Sequence, residues 1–253
     1  MRFGAALDIR FEEPIAEFVD FVLGLGLDHV ELRQGYLNVH PEAPSPRELR
    51  ELAERVDVTY TFHAPFRGTN LGNLDESFRR TAVEGVTRTL DRALAAGAGA
   101  VVVHGGSIPR RYPERVRTLA RRQAVQSLRE CATHADDIGM HLCLENQRRR
   151  SARVRFTETP ARLAAFRDDI GVDSEYFGVA LDVGHANVSG VAVEDFVAAF
   201  GDDIRVAHLH DNDGTADQHD PLPEYRTVAE TIGAEYNVLE MKSLADIERC
   251  VTG

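Results

Sequence analysis

Gly178-Val179-Ala180-Leu181-Asp182-Val183-Gly184-His185 is a short apolar run that ends in a carboxylate and, three residues later, an imidazole. A nearly continuous apolar run of this length is how a strand reads when its sheet is covered on both faces, as parallel sheets are. The same pattern recurs on either side. Upstream, strands are expected over Phe3–Asp8, His29–Leu32, Val58–His63, Ala100–His104 and His141–Glu145; downstream, over Arg205–His210 and Tyr236–Glu240. Amphipathic stretches separate them. Ser45-Pro46-Arg47-Glu48 combines an N-cap, a proline at the first helical position and an acid three residues after the cap. Asp75 opens a long helix to about Ala96, stopped by Gly97 and Gly99, and Pro113 opens another that Gly139 ends. Further helices fit Glu13–Leu23, Thr159–Asp168, Val193–Phe200, Glu224–Ile232 and Leu244–Val251.

Strand–helix alternation repeated eight times implies parallel strands joined by crossovers. The 253 residues divide into units of about 32, the length of a βα unit. The expected architecture is α/β, a single (β/α)8 barrel, with residues 1–253 forming one domain. A doubly wound sheet would want a glycine-rich turn after the first strand, and Asp8-Ile9-Arg10-Phe11 offers none.

Composition narrows the partners. With 43% hydrophobic and 28% charged residues the chain is ordinary for a globular protein, which excludes disordered and fibrous classes. No segment approaches the roughly 18 apolar residues of a membrane span, and Met1-Arg2-Phe3-Gly4 does not read as a secretory leader. A cytoplasmic location is expected. The 41 acidic against 29 basic residues give a net charge of −12, a field that repels polyanions and disfavours nucleic acid unless one face is locally basic. Cys131, Cys143 and Cys250 are too scattered for a disulfide framework or a thiolate metal site and are expected to be buried small apolar residues.

The strand ends carry the chemistry. In a (β/α)8 barrel the C-terminal ends of the strands converge on one mouth, where active sites are built. Here the third strand ends at His63, the fourth at His104, the fifth at Glu145, the sixth at Asp182 with His185 following, and the seventh at His208-Leu209-His210-Asp211 with Asp217-Gln218-His219 beyond. The eighth closes on Glu240. Carboxylates gathered together repel one another, and a divalent cation among interleaved imidazoles removes that conflict. His with Asp and Glu and no thiolate suits zinc, manganese or a similar ion. His29 and His141 fall at strand starts, His40 in a loop and His134 on a helix, all structural positions. His210 shares a strand face with His208 and is expected either to support the ligands or to touch substrate.

At His63-Ala64-Pro65, Val102-Val103-His104-Gly105, Leu144-Glu145-Asn146, Leu181-Asp182-Val183-Gly184-His185 and His208-Leu209-His210-Asp211 the chain resembles the xylose isomerase-like TIM-barrel superfamily. That superfamily contains sugar isomerases and epimerases and the endonuclease IV type of apurinic-site nuclease. The resemblance implies a metal quartet of Glu145, Asp182, His208 and Glu240 in the epimerase branch. In the nuclease branch it implies three zinc ions: His63, His104 and Glu145 for the first, the same quartet for the second, and His185, Asp217 and His219 for the third. One to three divalent ions per chain are therefore expected. After His219 the chain departs from the family's usual glycine turn.

The favoured expectation is a metal-dependent sugar or sugar-phosphate isomerase or epimerase that moves a proton through a metal-stabilised enediolate, with Glu145 and Glu240 as base and acid. The alternative is an apurinic-site phosphodiesterase with a trinuclear zinc site. Between Gln147 and Arg155 lies a basic run, Arg148-Arg149-Arg150-Ser151-Ala152-Arg153-Val154-Arg155, which reads either as a solvated loop or as an anion clamp with Arg148 contacting substrate. The expected partner is a small sugar or sugar phosphate, and homo-oligomerisation is left open.

Overall fold

A computed structural model describes residues 1–253. Ten strands form: β1 (Arg2–Leu7), β2 (His29–Arg33), β3 (Thr59–His63), β4 (Ala100–His104), β5 (Ser107–Pro109), β6 (His141–Glu145), β7 (Arg153–Arg155), β8 (Phe177–Asp182), β9 (Ile204–Leu209) and β10 (Tyr236–Leu239). The helices are α1 (Ile15–Gly24), α2 (Gln34–Val39), α3 (Pro46–Val56), α4 (Glu76–Ala96), α5 (Glu114–Ile138), α6 (Pro160–Ile170), α7 (Val183–Ser189), α8 (Val193–Phe200), α9 (Tyr225–Ile232) and α10 (Leu244–Thr252). Eight strands close a barrel in the order β1-β10-β9-β8-β6-β4-β3-β2, every neighbouring pair parallel, while β5 and β7 pair antiparallel beside it. The fold is the expected (β/α)8 TIM barrel. No helix is long and apolar enough to cross a membrane.

The local signals act as chemistry requires. Ser45 and Glu48 form a reciprocal capping box over α3, satisfying two amides that the first turn leaves free. The Asp75 side chain accepts from the Ser77 amide at the start of α4. Gly97 and Gly139 take the left-handed conformation that ends α4 and α5, with φ of 75° and 68°. Gly99, expected as a second stop, serves another purpose: a Cβ there would stand 2.0 Å from the Tyr236 hydroxyl.

Alternation along the strands sorts the residues into two cores. Outward positions such as Val101 and Val103 of β4, Leu142 and Leu144 of β6 and Val179 and Leu181 of β8 join the large cluster between barrel and helices. Inward positions Ala100, Val102, Cys143, Ala180, Val206 and Val238 form a separate small cluster inside the barrel. Following each inward row by steps of two toward the C-terminal end leads to His104, Glu145, Asp182, His208 and Glu240. The barrel is thus plugged by small apolar groups below and lined by ligand-type groups above. The three cysteines are buried and unpaired.

Five elements lie outside the sequence expectation: α2, α7, the paired short strands β5 and β7, and a 3-10 turn at Gly201–Asp203. His185 sits in the first turn of α7, whose N-cap is Asp182; that carboxylate accepts from the His185 amide at 2.6 Å.

Candidate metal centre at the barrel mouth

Glu145, at the end of β6, is the hub. Its Oε2 lies 2.7 Å from His104 Nε2 and 3.4 Å from His63 Nε2. Its Oε1 lies 3.1 Å from His185 Nδ1 and 3.9 Å from His208 Nδ1. Asp182 approaches His185 Nδ1 at 3.2 Å and His208 Nδ1 at 4.0 Å. Glu240 Oε1 is 3.6 Å from the same His208 nitrogen. Asp217 Oδ2 is 3.3 Å from His219 Nε2 and 3.7 Å from His185 Nε2. All nine residues singled out as ligand-type in the sequence therefore meet at one mouth.

Backbone devices hold them there. Asn146 clips the ends of β6 and β8 together, donating to the Asp182 carbonyl at 2.9 Å and accepting from the Asp182 amide at 2.6 Å. The excursion carrying Asp217 and His219 is closed by Asp211 and Asp220, which exchange backbone hydrogen bonds of 2.9 Å each way. His219 stands at φ 57°, a left-handed conformation uncommon outside glycine.

The imidazoles are pre-set. A carbonyl oxygen can only accept, so it fixes the ring proton on the nitrogen facing it. His63 Nδ1 donates to the Ala64 carbonyl (2.8 Å), His185 Nδ1 to that of Asn146 (2.9 Å) and His219 Nδ1 to that of Glu240 (2.7 Å). His208 does the same through Nε2, 2.9 Å from a carboxylate oxygen of Glu31. Each ring then presents its second nitrogen as a lone pair, the arrangement in which metal-binding histidines are held.

Buried carboxylates and imidazoles set one another's charge. Burial alone would raise the Glu145 and Glu240 carboxyls, but it is outweighed by His104 and His185 at Glu145 and by Arg33 and His208 at Glu240, and both are held well below the ordinary carboxylate range. Asp182 is lowered likewise by His185 and His210 against the push of its burial. His208 is raised well above an ordinary imidazole because Glu31 and Glu240 outweigh its burial, and His185 is raised by Asp182. Protons on histidines are thus one way of balancing these anions, and a divalent ion is another, since it exchanges with such protons on binding. Asp182 Oδ2 and His208 Nδ1 are buried with no hydrogen-bond partner. Buried polar atoms are normally satisfied. Oxygen and imidazole donors without thiolate fit a divalent cation of the zinc or manganese kind.

The remaining candidates are placed by their neighbours. His210 is fully buried, against Asp182 Oδ1 at 3.1 Å and stacked on His219 at 4.1 Å between ring centres, so it lies among the ligand-type groups rather than on the cavity wall. Gly184 makes room for it: a Cβ there would sit 1.9 Å from its Cε1. Arg148 is not free for substrate, because its guanidinium pairs with Asp217. His29 is satisfied by Thr59 and Thr61, and His134 by Asp91, as structural positions should be.

Three site residues went unnoticed in the sequence. Glu31 and Arg33 are buried on β2, and Arg33 bridges Asp8 (2.5 Å) and Glu240. The signal was present: His29-Val30-Glu31-Leu32-Arg33 alternates strictly, and its polar members are inward neighbours of Thr59, Thr61 and His63.

Above these groups opens a cavity of about 430 Å3, whose wall includes His63, His104, Glu145, His185, Asp217 and Glu240. Its size is that of small-molecule sites.

Comparison with known proteins agrees with this architecture. An uncharacterised protein of Methanocaldococcus jannaschii is 29% identical over 222 residues, 87% of this chain and 73% of that one. The crystal structure of a D-tagatose 3-epimerase-like protein superposes with a TM-score of 0.82 at 26% identity, covering 99% of this chain and 94% of the other. 3-keto-D-glucoside 4-epimerase from E. coli shares the fold at 16% identity, with a TM-score of 0.80 and coverage of 100% and 97%. The family described as the xylose isomerase-like TIM barrel matches residues 19–233, which run from α1 to the end of α9 and so carry every ligand-type position above except Glu240; the chain belongs to that family.

Proposed function

We propose that this chain, residues 1–253 acting as one barrel domain, is a divalent-metal-dependent isomerase or epimerase of a sugar or sugar phosphate, with Glu145 and Glu240 as its proton-transfer pair. The observation that carries the reading is their convergence: two buried glutamates, at the ends of β6 and β10 with β8 and β9 between them, flank one unpartnered nitrogen, His208 Nδ1, at 3.9 and 3.6 Å. Glu145, Asp182, His208 and Glu240 would hold the ion, zinc or manganese by donor type. When bound, such an ion acidifies a C–H beside a carbonyl by drawing electron density from the neighbouring oxygens. Glu145 and Glu240 are both held ionised, so either can accept that proton as the base, while the other, once it has taken a proton from a substrate hydroxyl or from water, delivers one from its own side as the acid. His63 and His104 border the cavity beside Glu145 and would orient substrate hydroxyls. The likeness to a D-tagatose 3-epimerase-like protein supports this reading over other barrel chemistries.

The test is turnover of ketoses in deuterated water by protein of known metal content, followed by hydrogen exchange next to the carbonyl. Glu145→Gln and Glu240→Gln should each lower turnover by about 100-fold or more. Full activity in either variant overturns the assignment.

A second reading, an apurinic-site phosphodiesterase with up to three zinc ions, has one feature in its favour: His63 and His104 on Glu145, and His185 and His219 on Asp217, form two histidine pairs beyond the quartet. The guanidinium of Arg148 on Asp217 counts against it, because that carboxylate already has a cation. Cleavage of a duplex containing one abasic site decides between the two.

A further inference from the structure

The basic run after Glu145 is part of the wall of the mouth. Its end, β7, pairs with β5 in the register Ser107↔Arg155, Ile108↔Val154 and Pro109↔Arg153. Arg153 donates to the Ser107 hydroxyl at 2.9 Å. Arg110 fastens the outer side by donating to the carbonyls of Ser151, Arg150 and Arg153 at 3.0, 3.1 and 3.2 Å. The segment is therefore a fixed rim.

Charge on that rim opposes the charge of the whole molecule. Of the 25 residues lining the cavity, seven are Arg or Lys and three are carboxylates, in a chain whose net charge is −12. Four of the seven have carboxylate partners: Asp8 engages Arg10, Arg33 and, at 3.8 Å, Arg67, while Asp217 engages Arg148. The remaining three do not. Arg155 is half-buried and reaches only the Arg148 carbonyl, Arg150 has no partner, and Lys242 donates to the Asp217 carbonyl at 3.2 Å. Arg155 is pushed down to about 10 by burial and by its neighbours Arg150 and Arg148. Fixed like charges without counter-ions are costly, and an anion entering the cavity relieves that cost.

We propose that Arg150 and Arg155, with Lys242 on the wall of the same cavity, form a subsite for a dianionic group on the substrate, and that the substrate is a sugar phosphate ester. Guanidinium groups present paired donors that match phosphate oxygens, and three positive charges without ion-pair partners balance a dianion better than the single charge of a sugar acid. The concave cavity suits a small ester, and the acidity of the rest of the surface disfavours a polyanion. The inference rests on the isomerase reading for the identity of the sugar portion, but the anion subsite stands on the rim alone.

Calorimetry on the metal-loaded protein compares a ketopentose 5-phosphate, the unphosphorylated ketopentose, the corresponding sugar acid, inorganic phosphate and an abasic-site duplex. The phosphate ester should bind at least about 30-fold more tightly than the neutral sugar and outbind the sugar acid, with inorganic phosphate competing. Arg155→Gln and Arg150→Gln should each cut the ester-to-neutral ratio about tenfold. Arg150 is exposed, so its variant answers even where Arg155→Gln folds poorly. A wild-type ratio near one, equal losses for charged and neutral ligands, or tighter Arg-dependent binding of the duplex each overturn the proposal. If the ester binds as expected but no ketose is turned over, the subsite stands and the isomerase reading falls. If the neutral ketose is turned over as well as its phosphate, the isomerase reading stands and the subsite falls.

Discussion

Replacing Glu31 by Gln tests the ligand assignment from behind. Glu31 lies beneath His208, outside the cavity wall, with its carboxylate 2.9 Å from His208 Nε2 and both side chains fully buried. Its role in the proposed centre is to hold the proton on Nε2 so that Nδ1, which has no partner, faces the carboxylates. A hydrogen bond to a charged group is worth about 1.5–3 kcal/mol. At about 1.4 kcal/mol per tenfold, losing its charge should weaken the ion by roughly 10- to 150-fold, in line with the ~10–100-fold effects of removing such supporting carboxylates. Gln keeps the shape and can still accept through its amide oxygen, so it falls toward the lower end; Glu31→Ala falls toward the upper. The assay is titration of metal-free protein with manganese or zinc against a competing chelator, alongside thermal melts of the metal-free form. Affinity unchanged within about twofold, with a lowered metal-free melting temperature, would show Glu31 to be purely a packing residue and would remove His208 from the ligand set.

Metal addition to chelator-treated protein should raise the melting temperature, since the unpartnered Asp182 oxygen and His208 nitrogen gain a partner; at 100 times Kd the gain is about 2.7 kcal/mol, on the order of 5–10 °C for a chain of this size, and no shift with zinc, manganese or cobalt refutes the centre. Gly4→Ala should unfold the barrel or lower its melting temperature sharply, because a Cβ at residue 4 would lie 1.8 Å from the His29 carbonyl oxygen, backbone that cannot swing aside; a variant as stable as the parent in urea titration would contradict the packing. His29 is lowered to about 4 by burial, so below pH 6.5 the unfolded chain takes up a proton that the folded chain refuses. Its contribution is complete above about pH 6.5, is lost progressively down to about pH 4, and totals about 3 kcal/mol; His29→Asn should flatten the pH dependence of urea stability across that window, and an unchanged slope would show that His29 titrates normally.

Much of this molecule was readable from one-dimensional pattern, for a physical reason. A strand covered on both faces must be apolar along most of its length, so each of the eight announced itself, and β4 and β6 begin and end where expected. The barrel's mouth is the one place where inward positions meet solvent or ligand instead of apolar core. Polar residues at strand ends, as at His104, Glu145 and Asp182, are therefore informative where the same residues mid-helix are not. The caps at Ser45, Asp75, Gly97 and Gly139 were legible because they solve a local problem with local side chains. The first two strands were expected too, but Asp8, Glu31 and Arg33, which occupy the same inward rows, did not stand out as site residues because they are not the His–carboxylate strand ends found elsewhere around the mouth.

What the sequence could not supply is pairing between distant charges. Arg148 and Arg155 are seven positions apart in one basic run and equally plausible as anion contacts, yet Arg148 is drawn onto Asp217, 69 positions down the chain, while the Arg155 guanidinium makes no ion pair and reaches only the Arg148 carbonyl. Nothing local distinguishes them; the difference comes from the closed Asp211–Asp220 excursion carrying Asp217 back over the mouth and from β7 docking on β5. The same long-range accounting separates the carboxylates. Asp8 is consumed by arginines, Glu240 is shared between Arg33 and the histidines, and Glu145 has only imidazoles around it. Charge left over after the internal pairs are made is what a ligand can use. That remainder is negative and imidazole-rich at the floor of the cavity and positive along its rim. A molecule that satisfies both ends carries oxygens for a cation at one end and a dianion at the other.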